Sequence, residues 1–152
     1  MPKTNETERV EKALFKHTSV MGVFGCMEVT IGINVFPYER VDYMTFDTKN
    51  EFRCYEVKVS KSDFMSKSKL TFIGDFNYLV MPHELLKQIE DTEKYRKLCM
   101  QGVGTFLVSD YSGLICERKA KRKKVSMGDK VMLMESMIRS LSRDAKKWYE
   151  KK

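Results

Sequence analysis

The sequence predicts an α/β fold, a central mixed sheet flanked by helices, and three observations carry that prediction. First, two apolar, β-rich runs at 40–46 and 52–58 are separated by Asp47-Thr48-Lys49-Asn50-Glu51, a turn signal between strands. Second, a compact apolar run at 76–81 follows a helix candidate, so it should lie parallel to the preceding strand through a right-handed crossover. Third, both ends of the chain carry apolar residues at helical spacing. At 152 residues the chain reads as one domain, 1–152, large enough for a real core.

Residues 4–18 are expected to form a helix. Thr4-Asn5-Glu6-Thr7 offers capping chemistry, and Val10, Ala13, Leu14 and His17 form an inward stripe. Acids near this start, Glu11 among them, are explained by the helix dipole. His17 has no second ligand at metal spacing, so it reads as a packed or partly exposed residue. Residues 20–33 are apolar and β-branched, with a strand expected at 24–31. Glu28 interrupts it, and a carboxylate there either faces solvent or has a partner. Residues 34–39, with Pro37, read as a loop.

The hairpin gathers the chemistry. With Thr48, Lys49 and Asn50 as a three-residue loop and Asn50 left-handed, Asp47 pairs with Glu51. Counting back places Asp42 opposite Glu56, a match that a one-residue slip would destroy. Alternation puts Asp42, Met44 and Phe46 on one face with Phe52, Cys54, Glu56 and Lys58. Two carboxylates across adjacent strands make an oxygen-rich site suited to Mg²⁺. Lys58, two residues past Glu56, is placed to orient a water or meet negative charge developing on a phosphate. The plainer reading is a solvated strand end with a weak surface ion pair.

Beyond the hairpin, Ser60 caps a helix from about Lys61, with Asp63 in its first turn. Ser60, Lys61 and Lys69, with Lys67 beside them, are candidates to meet phosphates, or they form the wet face of that helix. Pro82 ends the 76–81 strand and suits the first turn of a helix over 83–90. His83 there reads as an exposed helix-start residue. Residues 91–100 are charged, helix or loop; 102–108 and 114–117 form a hairpin turning at 110–113. The 118–126 segment is a basic loop, six basic residues in seven at 118–124, and Lys121, Arg122, Lys123 and Lys124 are candidates for a phosphate contact strip. Residues 127–152 form a C-terminal helix behind Ser126 and Asp129. Its Met134, Met137, Ile138, Leu141, Ala145 and Trp148 are expected to pack on the sheet, a dimer interface being the sharper alternative.

A net charge of +7 favours a polyanionic partner. No apolar run approaches the ~20 residues of a membrane span, so no membrane partner is expected. Residues 1–12 have no hydrophobic signal core, which points to the cytoplasm. Cys26, Cys54, Cys99 and Cys116 form no CxxC pair, which argues against a zinc ribbon or disulfide scaffold.

Asp42 followed by Glu56-Val57-Lys58 on the next strand resembles the PD-(D/E)XK nuclease superfamily. The wider pattern is similar to the MmcB family of proposed DNA-repair nucleases and its phage relatives. It comprises Met27-Glu28-Val29, Arg40-Val41-Asp42, the run from Glu56-Val57-Lys58 through Ser60 to Asp63-Phe64, Asn77-Tyr78-Leu79-Val80-Met81-Pro82, and Gly102 to Val108. It departs in having Val41 before Asp42 and no tryptophan between Asp63 and Tyr78. The resemblance implies a restriction-endonuclease-like αβββαβ core and a Mg²⁺- or Mn²⁺-dependent nuclease acting on DNA. Asp42, Glu56 and the Val57 carbonyl would hold the metal, Lys58 would serve the water, and Glu28 would be auxiliary. It also makes a homodimer natural, since such an enzyme cuts two strands. The rival expectation is a basic DNA-binding accessory protein of the same fold without turnover.

Overall fold

The computed structural model describes residues 3–32, 39–110 and 113–152. In chain order the elements are α1 (Asn5–Thr18), β1 (Val23–Ile31), β2 (Glu39–Asp47), β3 (Phe52–Val57), α2 (Lys61–Met65) and β4 (Phe76–Pro82). These are followed by α3 (His83–Ile89), α4 (Glu93–Met100), β5 (Gly104–Ser109), β6 (Gly113–Arg118) and α5 (Met127–Glu150). The strands form one sheet in the order β1-β2-β3-β4-β5-β6. β1, β2 and β3 run antiparallel to one another, β3, β4 and β5 are parallel, and β6 returns antiparallel. The chain is therefore α/β with a mixed sheet. The expected loop at 34–39 and turn at 110–113 fall largely outside the described residues.

Local chemistry explains the element boundaries. Thr4, Ser60, Thr92 and Ser126 each accept a hydrogen bond at a helix N-terminus, from Thr7, Asp63, Tyr95 and Asp129 N–H. The β2–β3 hairpin closes as the loop length requires. Asn50 is left-handed at φ 62°, Asp47 N–H donates to the Glu51 carbonyl, and Phe46 faces Phe52.

The two faces of the sheet are covered differently. On one, Val10 and Leu14 of α1 pack over Tyr43, Tyr55, Val57, Tyr78, Val80 and Phe106. The inward turn of α1 ends on Thr18, whereas His17 is exposed, its ring 5.2 Å from that of Phe106. On the other face α5 covers the β1–β3 end, with Leu133 and Met137 against Val29, Met44, Phe52 and Cys54. α2, α3 and α4 cover the β4–β5 end around Phe64, Leu79, Met81 and Ile89.

Two expectations are corrected here. α2 stops at Met65, so Lys67 and Lys69 lie in the irregular segment after it and share no helix face with Lys61. On α5 the inward residues are Leu133, Ser136, Met137 and Ser140, while Ile138, Leu141, Ala145 and Trp148 point to solvent. The reason lies in β1, an edge strand whose amides need acceptors. Gly32 N–H donates to Ser136 Oγ at 3.0 Å and Thr30 N–H to Ser140 Oγ at 3.4 Å, which turns the hydroxyl-bearing side of α5 inward.

Candidate functional site

The site forms where β2 and β3 part. Their registered pairs end at Tyr43 and Tyr55. One step on, Val57 N–H donates not to a strand carbonyl but to Asp42 Oδ2, at 2.8 Å. On its other side β3 stays bound to β4, Val57 opposite Val80 and Lys58 N–H donating to the Val80 carbonyl at 3.0 Å. The opening is a cleft of ≈ 510 Å³ whose walls include Asp42, Glu56, Val57 and Lys58. α1 contributes Lys3, Thr7 and Glu11, and the segment after α2 contributes Ser68, Lys69 and Thr71.

Glu56 is 3% exposed, and its Oε1 accepts from Thr71 N–H at 3.1 Å. Burial, and then the Asp42 carboxylate beside it, push its carboxyl up to about 9. Lys58 is also buried, its Nζ 3.6 Å from Asp63 Oδ1, and Asp63 Oδ2 accepts from Val59 N–H at 3.2 Å. The α2 cap thus places Asp63 to hold Lys58. Asp42, Glu56 and Lys58 are brought together, as the hairpin count requires.

Glu28 differs. It does not line the cleft, its side chain is 42% exposed, and its ion-pair contact is with Lys3 Nζ at 3.9 Å. Its backbone is left-handed at φ 53°, costly for a residue with a Cβ. That conformation breaks the alternation of β1, so Cys26 and Val29 pack into the same cluster. Opposite it the alternation of β2 breaks too, at Asp42, where Val41 and Met44 share that cluster. Strict alternation through Asp42, expected from the sequence, therefore fails; the shared kink is what frees the Asp42 carboxylate to reach Val57. Because the strain is in the backbone, Glu28→Gly should be more stable than Glu28→Ala by about 1 kcal/mol. Chemical denaturation of the two variants measures this, and equal stabilities would remove the strain argument.

Two cleft residues carried no sequence signal. Thr71 is 2% exposed and its Oγ1 has no hydrogen-bond partner, an orphaned polar atom in a cleft wall. Lys3 sets its ammonium 2.9 Å from both oxygens of Glu11, and that hydrogen bond raises its pKa. Glu28 and Asp42 add to the negative field around it. A cation is thus already drawn to the acidic mouth of the cleft.

The phosphate-contact candidates divide between two places. Ser60 is occupied as the α2 cap, Lys61 is exposed next to it, and Lys69 pairs with Glu39 at the cleft. The basic segment lies at the other end of β3. Lys121 N–H donates to the Gly102 carbonyl and Lys123 N–H to that of Asp75, at 2.9 and 2.7 Å. Arg122 pairs with Glu51 and lies 4.8 Å over the Phe76 ring. Lys124 is exposed. Glu51 and Glu56 are five residues apart along one strand, so roughly 17 Å separates this strip from the cleft. The segment is a tethered strap rather than a free solvated loop.

Among the described residues, no group of three or more His, Cys, Asp or Glu side chains gathers as a metal-ligand set; the cleft offers the pair Asp42 and Glu56. No described helix is long and apolar enough to cross a membrane. No family model matches the chain, and no curated protein matches it. It is similar to a solved protein of unknown function from Silicibacter pomeroyi, at 16% identity and a TM-score of 0.70, covering 95% of this chain and 91% of that one. That likeness shows a shared fold.

Proposed function

We propose that the cleft is the active site of a metal-dependent nuclease of the PD-(D/E)XK type acting on DNA, with Mg²⁺ or Mn²⁺ as its cofactor. The observation that carries the reading is a buried carboxylate, Glu56, held beside Asp42 with a buried lysine two residues on, all in one open cleft. The order α1-β1-β2-β3-α2-β4, three antiparallel strands and then a parallel one, agrees with a restriction-endonuclease-like αβββαβ core.

The donor set suits a hard divalent ion. Buried side by side, Asp42 and Glu56 disfavour double ionisation unless a positive charge joins them. The unpartnered Thr71 hydroxyl is a further polar atom for a hydrated ion or a phosphate oxygen. Asp42, Glu56 and the Val57 carbonyl would hold the ion, which when bound would polarise a phosphoryl oxygen and acidify a water. Asp63 fixes the Lys58 ammonium to meet negative charge on the phosphate, and Thr71 N–H keeps the Glu56 carboxylate in place. Glu28 acts at a distance, through the kink that shapes the mouth and through Lys3.

Labelled single-stranded, duplex and branched DNA, incubated with and without Mg²⁺ or Mn²⁺, test this. Cleavage is expected only with the cation, and Glu56→Gln and Lys58→Met should each lower it by roughly 10²–10³-fold. No cleavage of any substrate, or undiminished cleavage by Glu56→Gln, would falsify the enzyme reading. Salt-sensitive DNA binding that survived Glu56→Gln without cleavage would favour an accessory role instead.

A further inference from the structure

One apolar surface is used by neither the core nor the cleft. α5 buries Leu133, Ser136, Met137 and Ser140 against β1. A second stripe runs through Val131, Met134, Ile138, Leu141, Ala145 and Trp148. At 100° per residue its centre lies roughly 130° around the helix from the buried face. Val131, Ile138, Leu141 and Trp148 are 43–65% exposed. Their spacing alternates strictly between three and four residues, and Met127 extends it by one more step. That is the seam of a coiled coil, about three heptads long on a helix of roughly 36 Å.

We propose that α5 is the dimerisation element of this protein, pairing antiparallel with α5 of a second copy and crossing it at Ile138. Charge selects both the occupant and the direction. The first half of the helix carries Asp129 and Glu135, and its Lys130 is already paired with Asp75. The second half carries Arg139, Arg143, Lys146, Lys147, Lys151 and Lys152 against Asp144 and Glu150. Antiparallel pairing sets the acidic half of one helix on the basic half of the other. Parallel pairing would oppose Lys146 and Lys147 to their own copies, an unfavourable arrangement.

Size agrees with the same register. With Ile138 meeting Ile138, Val131 lies opposite Ala145 of the second copy, Met134 opposite Leu141, and Met127 opposite Trp148. Large side chains thus meet small or flexible ones along the seam. An isologous contact of this kind closes on itself and leaves no open end. The stripe is narrow and flanked by acids, which distinguishes it from the broad apolar, lysine-bordered face of a helix that lies on a membrane. The inference stands whether or not the cleft cleaves DNA.

Sedimentation equilibrium of the full chain tests it, beside Ile138→Glu and Leu141→Lys. The wild type is expected to be a concentration-dependent dimer. Each variant should weaken self-association by roughly 100-fold or more, with an unchanged thermal midpoint for the folded monomer. Orientation is read by disulfide cross-linking in a Cys116→Ser background. Ile138→Cys should link to its own copy, and Met127→Cys should link to Trp148→Cys but not to itself. A monomer at every concentration, or a dimer indifferent to Ile138→Glu, overturns the proposal. Self-linking of Met127→Cys overturns the antiparallel arrangement. Binding of a monomeric wild type to phosphatidylserine-containing vesicles through this stripe assigns it to a membrane surface and overturns it as well.

Discussion

The metal-free protein should lose stability as pH rises from about 4.5 to about 9, and Glu56→Gln should abolish most of that loss. The Glu56 carboxyl is held well above its ordinary range, first by burial and then by Asp42. Across the window between its unfolded and folded pKa, the native state keeps a proton that the unfolded chain has released. Stability from that proton is fully present below the unfolded value and is lost as pH rises through the folded one. For one proton the slope approaches about 1.4 kcal/mol per pH unit. Glutamine keeps the shape and can still accept from Thr71 N–H, but carries no charge to bury. It should therefore stabilise the metal-free protein at pH 8 and flatten the curve. A divalent cation should act in the opposite sense, stabilising the wild type more at pH 8 than at pH 5. At a hundred times its dissociation constant the gain is about 2.7 kcal/mol, and Glu56→Gln should show little of it. Urea denaturation across pH, with and without Mg²⁺, measures all of this. Parallel pH–stability curves for wild type and Glu56→Gln would mean the carboxylate is not poised as described.

The second large effect is structural and lies at the other end of β3. Asp75 is 3% exposed and its Oδ2 accepts from Phe52 N–H at 2.8 Å. Its Oδ1 stands 3.4 Å from Lys130 Nζ on α5, and its carbonyl accepts from Lys123 N–H at 2.7 Å. One residue thus ties together the start of β3, the basic strap and the N-terminal turn of α5. Asp75→Ala leaves a buried amide without an acceptor and a mostly buried ammonium with only the Asn50 carbonyl. The expected cost is about 3–5 kcal/mol. Asp75→Asn keeps an acceptor for Phe52 but not the charge for Lys130, and should cost about 1–3 kcal/mol. Denaturant unfolding followed by circular dichroism measures both. An alanine variant within about 1 kcal/mol of wild type would show that the strap and α5 are anchored by other contacts.

Both effects rest on residues of different legibility. The Glu56 site could be counted from the sequence because a hairpin is local. Three loop residues, the last an asparagine that tolerates positive φ, fix the register, and the register fixes which side chains cross the ladder. Asp75 gave no such sign. It follows Gly74 in an irregular segment, and its partners lie 23 and 55 positions away in the chain.

By itself, then, the sequence determined the α/β class, the helix caps, the Asp42–Glu56–Lys58 cluster and the parallel placement of β4, because each depends on neighbours a few residues apart or on strand alternation. Three things were decided only in the tertiary structure. The paired kink at Glu28 and Asp42 needs two strands to deform together. The tethering of the basic strap needs Glu51, Phe76 and Asp75 gathered at one end of the sheet. The orientation of α5 needs an edge strand whose amides seek hydroxyls. Its sequence offers two sides that could be buried, and periodicity cannot choose between them. Hydrogen-bond donors on β1 choose the side bearing Ser136 and Ser140, and the heptad stripe is left facing outward.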